Sequence, residues 1–258
     1  MRVALVGDII GRPGRRAVAE NLPPLVRDFC VDAVVANGEN AAGGIGITRE
    51  VAEELFGLGV DVITMGNHAF GKKEIVSFLE QDKRMLRPAN LPPGAPGRGY
   101  VVVETRGGVR LAVLSLVGRT FMQPLDCPFR IADAVLKRLP ECPVVVDFHA
   151  EATSEKAALA WYLDGRAMAV TGTHTHVQTA DERVLPLGTA FISDIGMCGP
   201  VNSVIGMDKD IVVRRFLSGL HSQYQVADGP YVFSAVVVDS HGDTGRAAGI
   251  RRILNYEE

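Results

Sequence analysis

No apolar run in the 258 residues approaches the roughly 20 needed to cross a bilayer as a helix, so a membrane-spanning helix is not expected. The four cysteines (Cys30, Cys127, Cys142 and Cys198) are scattered and form no C-x-x-C pair. They read as reduced fillers, which argues against a disulfide frame or a zinc knuckle. Cys198, within "DIGMCGP", reads as a small apolar residue in a turn. There is no excess of positive charge: 27 basic against 30 acidic residues leave a net charge of -3. That balance argues against a protein built to coat nucleic acid. Repeats, linkers and low-complexity tracts are also missing, so a single domain over residues 1–258 is expected. The opening "MRVALVGD" enters a strand directly and lacks signal-peptide anatomy, which gives a cytoplasmic expectation. Gly-rich "AAGGIG" has neither G-x-G-x-x-G nor Walker spacing, which removes the dinucleotide and P-loop readings.

What the chain does contain is a large apolar fraction, 47%, arranged in one rhythm. Short β-branched runs recur, and most end in a polar cluster: "RVALVGD", "AVVANGEN", "DVITMGNH", "LAVLSLVGR", "VVVDFHAE", "AMAVTGTHTH" and "TAFISDIG". Helical patterns lie between them. "TREVAEELFGLG" offers Thr48 as N-cap and Val51, Ala52, Leu55 and Phe56 on one face. "FRIADAVLKRL" and "DIVVRRFLSGL" carry similar stripes, the second through Val212, Val213, Phe216, Leu217 and Leu220. Nearly continuous Val, Ile and Leu in the strands predict burial on both faces, as in a layered α/β protein. Two stretches, residues 86–116 and 229–254, read as hairpins, so the sheets are expected to be mixed.

In open α/β folds a ligand sits beyond the carboxyl ends of the strands. Five runs here end in metal-competent residues: Asp8; Glu39 and Asn40; Asn67 and His68; His149; and His174 with His176. Taken singly, each fits a cap or a turn. Taken together they do not, because four of the six histidines end such runs while His221 and His241 fall in expected loops. In extended chain, residues i and i+2 face the same way about 6–7 Å apart. His174 and His176 could therefore converge on one metal, or serve one each of two metals roughly 3.5–4 Å apart. Glu39 or Asp8 could bridge, and asparagine oxygens add neutral ligands. With Asp8 and Glu39 as the only anions, two divalent cations leave a positive site that draws phosphate and acidifies water. Without thiolates, the donor set leaves Fe, Mn, Zn or Mg open.

In order along the chain, "VGD", "NGEN", "GNH", "FHAE" and "GTHTH" resemble the metallophosphoesterase (calcineurin-like) superfamily. Three departures from its general pattern stand out: Asp8-Ile9-Ile10 lacks the usual histidine, Glu39 replaces aspartate, and Ala69 stands where an acidic residue is expected. One subfamily shares them. Through "GDIIGRPGRRAV", "ENAAGGIGIT", "DFHAEATSEK" and "GTHTHVQTAD", the chain resembles the bacterial YmdB-like metallophosphoesterases over nearly its whole length. The resemblance implies a four-layer sandwich of two mixed β-sheets flanked by helices. It implies that Glu39 bridges two metals, with Asp8, Asn40 and His176 completing one and Asn67, His149 and His174 the other. Asn40 would fill the role left open by the missing histidine. Iron is the implied metal, and hydrolysis of 2′,3′-cyclic nucleotides (cAMP-type) the implied reaction.

The expected mechanism is in-line attack by a metal-bridging hydroxide, with His68 as general acid to the departing ribose oxygen. Arg119 and Thr153, the latter at the start of a helix, are weaker candidates for substrate contact. Arg12, Arg15 and Arg16 read as a solvated helix face, and Asp194 and Gly196 as rim. Two rival readings remain. One is another phosphoesterase, such as a 5′-nucleotidase or phosphomonoesterase. The other is a non-catalytic metal-bound regulatory or RNA-associated protein. A homo-oligomer with a small nucleotide substrate and no membrane partner completes the expectation.

Overall fold

The computed structural model describes residues 1–242 and 245–257. The chain begins with β1 (Arg2–Val6), the two-residue β2 (Asp8–Ile9) and α1 (Gly11–Asp28). It continues through β3 (Ala33–Asn37), α2 (Arg49–Gly57), β4 (Val62–Thr64), α3 (Ile75–Gln81) and β5 (Met85–Leu86). The middle supplies β6 (Tyr100–Glu104), β7 (Arg110–Val117), α4 (Pro128–Leu136), β8 (Val144–His149), α5 (Thr153–Tyr162) and β9 (Ala169–Thr173). Then come β10 (Arg183–Val184), β11 (Ala190–Ile192), β12 (Met197–Pro200), α6 (Lys209–Ser218), β13 (Tyr231–Ser240) and β14 (Ala247–Tyr256).

Two mixed sheets form. The first runs β2-β12-β13-β1-β3-β4-β5, with β14 also paired to β13, and the second runs β10-β11-β9-β8-β7-β6. Both expected hairpins are present, β6 with β7 and β13 with β14, each antiparallel. Strands β1, β3, β4 and β5 are mutually parallel, as are β7, β8, β9 and β11.

The period-2 alternation of strands explains the layers. On one face of the first sheet Ala4, Val6, Val34, Ala36 and Ile63 pack against Ala17 and Leu22 of α1, Leu55 of α2 and Leu79 of α3. On its other face Val3, Leu5, Val35 and Val62 meet Leu111, Val113, Val145 and Ile192 of the second sheet. The far face of that sheet, including Leu114, Val146 and Phe148, is covered by Ala132 and Val135 of α4 and Leu159 and Ala160 of α5. The result is the expected helix–sheet–sheet–helix sandwich. Each fully buried Val, Leu or Ile in it contributes about 1.5–3 kcal/mol of transfer free energy. Thr48 caps α2 as expected, its hydroxyl accepting from the Val51 N–H.

Helix α6 departs from expectation. Of its apolar stripe only Val212 is buried, while Phe216 and Leu217 are 83% and 85% exposed. An amphipathic pattern marks an apolar face without stating what covers it.

Candidate metal centre

The carboxyl ends of parallel strands from both sheets point to one spot. Asp8 opens β2, Glu39 and Asn40 follow β3, and Asn67 and His68 follow β4. From the second sheet, His149 is the last residue of β8, and His174 and His176 follow β9. These residues are therefore neighbours although up to 168 positions separate them in the chain.

His149 Nε2 lies 3.0 Å from Glu39 Oε1, 3.0 Å from Asn67 Oδ1 and 3.0 Å from His174 Nδ1. Glu39, His149 and His174 form a compact group, with one donor atom from each lying within 4.8 Å of the others. A second focus lies around Asp8. Its Oδ1 is buried with no hydrogen-bond partner among the described residues, 3.8 Å from His149 Nδ1 and 3.8 Å from His176 Nε2. A buried carboxylate oxygen without a partner is costly, and a cation is the natural group to satisfy it. Asn40 turns its amide nitrogen toward His176 Nε2 (3.4 Å) and its oxygen toward His68 Nδ1 (2.8 Å). Holding a cation through Asn40 therefore requires a half-turn of that amide.

Tautomers follow from the hydrogen bonds. His176 Nδ1 is 2.8 Å from the Ile205 carbonyl oxygen, which can only accept, so the Nε2 lone pair faces Asp8. Thr173 Oγ1 donates to Asp147 Oδ1 and lies 2.9 Å from His149 Nδ1, so that nitrogen donates and Nε2 is the one left to face a cation once its proton is displaced. His174 Nε2 is 3.0 Å from Glu151 Oε2, which leaves Nδ1 turned inward. All three imidazoles thus present a metal-competent nitrogen to the centre.

Two of the three stand on or beside unusual backbone. His174 has φ 99° and His176 φ 65°, the left-handed region that L-residues rarely occupy. The turn is held from below. Asp194 Oδ2 accepts from the Thr175 N–H, the Thr175 hydroxyl and Lys156 Nζ, and Asp8 Oδ2 accepts from the His174 N–H. Asp194 is thus buried beneath the turn, where the sequence suggested a rim, and Gly196 is buried too. On the other wall Glu39 Oε2 accepts from the N–H groups of Gly66 and His68, which fixes the Asn67 loop.

The electrostatics suit cations. Burial pushes the Asp8 carboxyl up to about 6, against the pull of His176 and His149. Burial acts upward on Glu39 as well, but His149 and His68 outweigh it and hold Glu39 well below the usual carboxylate range. Burial lowers His149, yet Glu39 and Asp8 reverse this and raise it to about 9. Burial and the charge on His149 push His174 down to about 3. Glu39, His149 and His174 thus hold one proton where a cation could replace it. The donors are carboxylate, amide oxygen and imidazole, suited to hard or borderline metals. Burial pushes the Cys198 thiol up to about 12, so no thiolate competes.

Arg119 and Thr153 are placed differently from the seven. Arg119 is exposed after β7 and gives its backbone N–H to Glu155, and Thr153 is exposed at the first position of α5. Arg12 and Arg16 lie on the exposed face of α1, as expected, while Arg15 is half-buried and pairs with Glu54. Sequence reasoning missed the supporting groups Asp147, Glu151 and Lys156. Only the i, i+2 spacing of Asp147 and His149 on β8 could have signalled one of them.

Comparison with known proteins decides the family. The family described as "YmdB-like protein" matches residues 4–253. The chain belongs to the YmdB-like family. A relative from Bacillus subtilis (strain 168), named 2′,3′-cyclic-nucleotide 2′-phosphodiesterase, is 48% identical over 258 residues, spanning 98% of this chain and 97% of the relative. A solved structure described as a hypothetical protein from Thermus thermophilus superposes with a TM-score of 0.94 at 44% identity, covering 100% of both chains. A second, described as a novel phosphatase of Mycoplasma pneumoniae, gives a TM-score of 0.94 at 31% identity, covering 100% of this chain and 94% of that one. The YmdB-like fold is thus shared across the whole length. Among the described residues, no helix is long and apolar enough to cross a membrane.

Proposed function

We propose that this chain is a two-metal-dependent phosphodiesterase, a phosphoric-ester hydrolase acting on 2′,3′-cyclic nucleotides, and that one domain carries the activity. The observation that supports it best is the partnerless Asp8 Oδ1, buried 3.8 Å from the inward-facing Nε2 of His176 and 3.8 Å from Nδ1 of His149. The name of the Bacillus subtilis relative supports the substrate class.

Glu39 is the proposed bridge. Asp8, Asn40 and His176 would hold one cation, and Asn67, His149 and His174 the other, with iron the expected metal and Mn, Zn or Mg compatible with the donors. When bound, the cations supply Lewis acidity toward phosphate oxygens and a water acidified toward neutral pH. The protein's own groups do the rest. Asp147 and Thr173 keep His149 in one tautomer, and Glu151 does so for His174. Once the Asn40 amide has made that half-turn, its NH2 rather than its oxygen would face His68 Nδ1, now 2.8 Å from Asn40 Oδ1, so Nδ1 would accept and a proton for a departing ribose oxygen would come from Nε2–H. Its side chain is 37% exposed, within reach of a bound ligand.

Metal analysis of freshly purified protein, paired with a substrate panel, tests the reading. Two equivalents of metal are expected, with turnover of cyclic nucleotides well above that of simple monoesters. Glu39→Gln should lose metal and activity together. A Glu39→Gln protein that keeps both metals removes Glu39 from the bridge, and preferential monoester turnover replaces the diesterase reading by a phosphomonoesterase.

A further inference from the structure

The loop that carries Asn67 and His68 has two sides. One faces the metal centre. On the other, the stretch Gly66–Gly71, Asn67 included, lines a cavity of about 330 Å³. Its walls come from Leu91, from Val117 at the end of β7, and from Met122, Gln123 and Leu125 in the loop that follows, with Phe70 at the floor.

We propose that this cavity is the nucleoside subsite: it takes the base, and the ribose carrying it, of the cyclic nucleotide. The inference rests on the phosphodiesterase reading above and adds where the organic part of the substrate sits. Three observations support it. First, position: His68 lines the cavity and also hydrogen-bonds to Asn40 at the centre, so the cavity opens on the side of the proposed acid. In a 2′,3′-cyclic diester both ester oxygens belong to one ribose. The acid that protonates the leaving oxygen must therefore lie beside that ribose, and the base projects away from phosphorus into whatever adjoins the acid. Second, chemistry: Leu91, Met122 and Leu125, with Phe70, offer apolar surface to a flat aromatic face, and a Met thioether adapts to rings of different outline. The amide of Gln123 supplies one donor and one acceptor group for a base edge. Third, size: about 330 Å³ stands at the small end of ligand cavities, roughly 300–1,000 Å³, and so suits a single nucleoside better than a longer chain. The substrate class is accordingly a mononucleoside cyclic phosphate.

The test compares protein loaded with Mn(II) in its parent form and as Met122→Lys and Leu125→Asp. Each is assayed on 2′,3′-cyclic AMP and on cyclic glycerol 1,2-phosphate, which has the strained diester but no base. The parent is expected to prefer the cyclic nucleotide in kcat/KM by at least tenfold, through KM. Both substitutions should lower that preference by at least tenfold. Calorimetric binding of adenosine 3′-phosphate and of inorganic phosphate to the same proteins gives a readout independent of turnover. The nucleotide should bind the parent at least tenfold more tightly than phosphate, and the variants should lose that margin. A preference unchanged in both variants, or equal affinities for the two ligands in the parent, overturns the subsite. Failure to hydrolyse either diester, with the nucleotide margin present in the parent and lost in the variants, instead overturns the phosphodiesterase reading and leaves the subsite standing.

Discussion

Lys156→Met examines the support beneath the histidine turn. Lys156 lies on α5 with its side chain 2% exposed, and its Nζ is 2.7 Å from Asp194 Oδ2, itself on a side chain 1% exposed. Methionine keeps much of the stem and removes the charge, which leaves Asp194 ionised in the interior without its cation. Breaking a buried pair from one side costs about 3–5 kcal/mol. Asp194 retains three donors, the Thr175 N–H and hydroxyl and the Gly196 N–H, so the lower end, about 3 kcal/mol, applies. In a chain of this size each kcal/mol moves the midpoint by about 2–4 °C, so Tm should fall by about 6–12 °C. The same carboxylate anchors Thr175, between two histidines in the left-handed region. Relaxation there should weaken metal binding by about 10–100-fold, the usual effect of losing a group that orients a ligand. Thermal melts of metal-free protein and competitive metal titration measure the two effects. A Tm within about 2 °C of the parent refutes the energetic argument. A large Tm loss with unchanged metal affinity refutes the link from ion pair to turn.

Three further outcomes follow from the same geometry. His68→Ala should cut turnover of a cyclic nucleotide by about 10²–10⁴ while sparing a nitrophenyl ester, whose leaving group needs no proton; equal losses at constant metal content would count against His68 as the acid. Asp8→Asn should stabilise the metal-free protein at pH 7.5, because a carboxyl raised from 3.8 to about 6 on folding costs up to about 3 kcal/mol once ionised. That cost grows as pH rises from about 4 to 6 and is constant above, so urea melts at pH 4 should show no gain, and a gain equal at both pH values refutes the assignment. Gly66→Ala places a Cβ 2.1 Å from His149 Cδ2, so the ring must move and metal should be lost on dialysis; full metal retention would show that the loop yields instead.

Much of the architecture was legible because burial writes a period into strands. Val3 and Leu5 alternate with Ala4 and Val6 since the first pair faces the second sheet and the other faces helices. Polar residues closing such runs were legible for the same reason, as they interrupt an apolar pattern where the backbone leaves the sheet. Burial of charge was not. Lys156 in "SEKAALAW" looks like a solvated helix residue, and only the distant Asp194 makes its burial tolerable. Sequence patterning likewise assigned α6 an inward face, whereas Phe216 and Leu217 meet solvent, because an apolar stripe encodes affinity for cover and not its source. The cavity beside His68 was invisible for a further reason: its walls come from three separate segments whose proximity depends on sheet order.

Sheet order has one more consequence. The strand at the start of the chain sits between β3 and β13, residues Tyr231–Ser240, and Asp8 pairs through β2 with Met197 of β12. Asp8 therefore finds its strand partner 189 residues further along, and β1 finds β13 229 to 237 residues further along. Pairing across such separations is slow. Any piece of the chain that stops short of β12 and β13 would therefore carry the imidazoles of β8 and β9 without the strands that hold Asp8 among them.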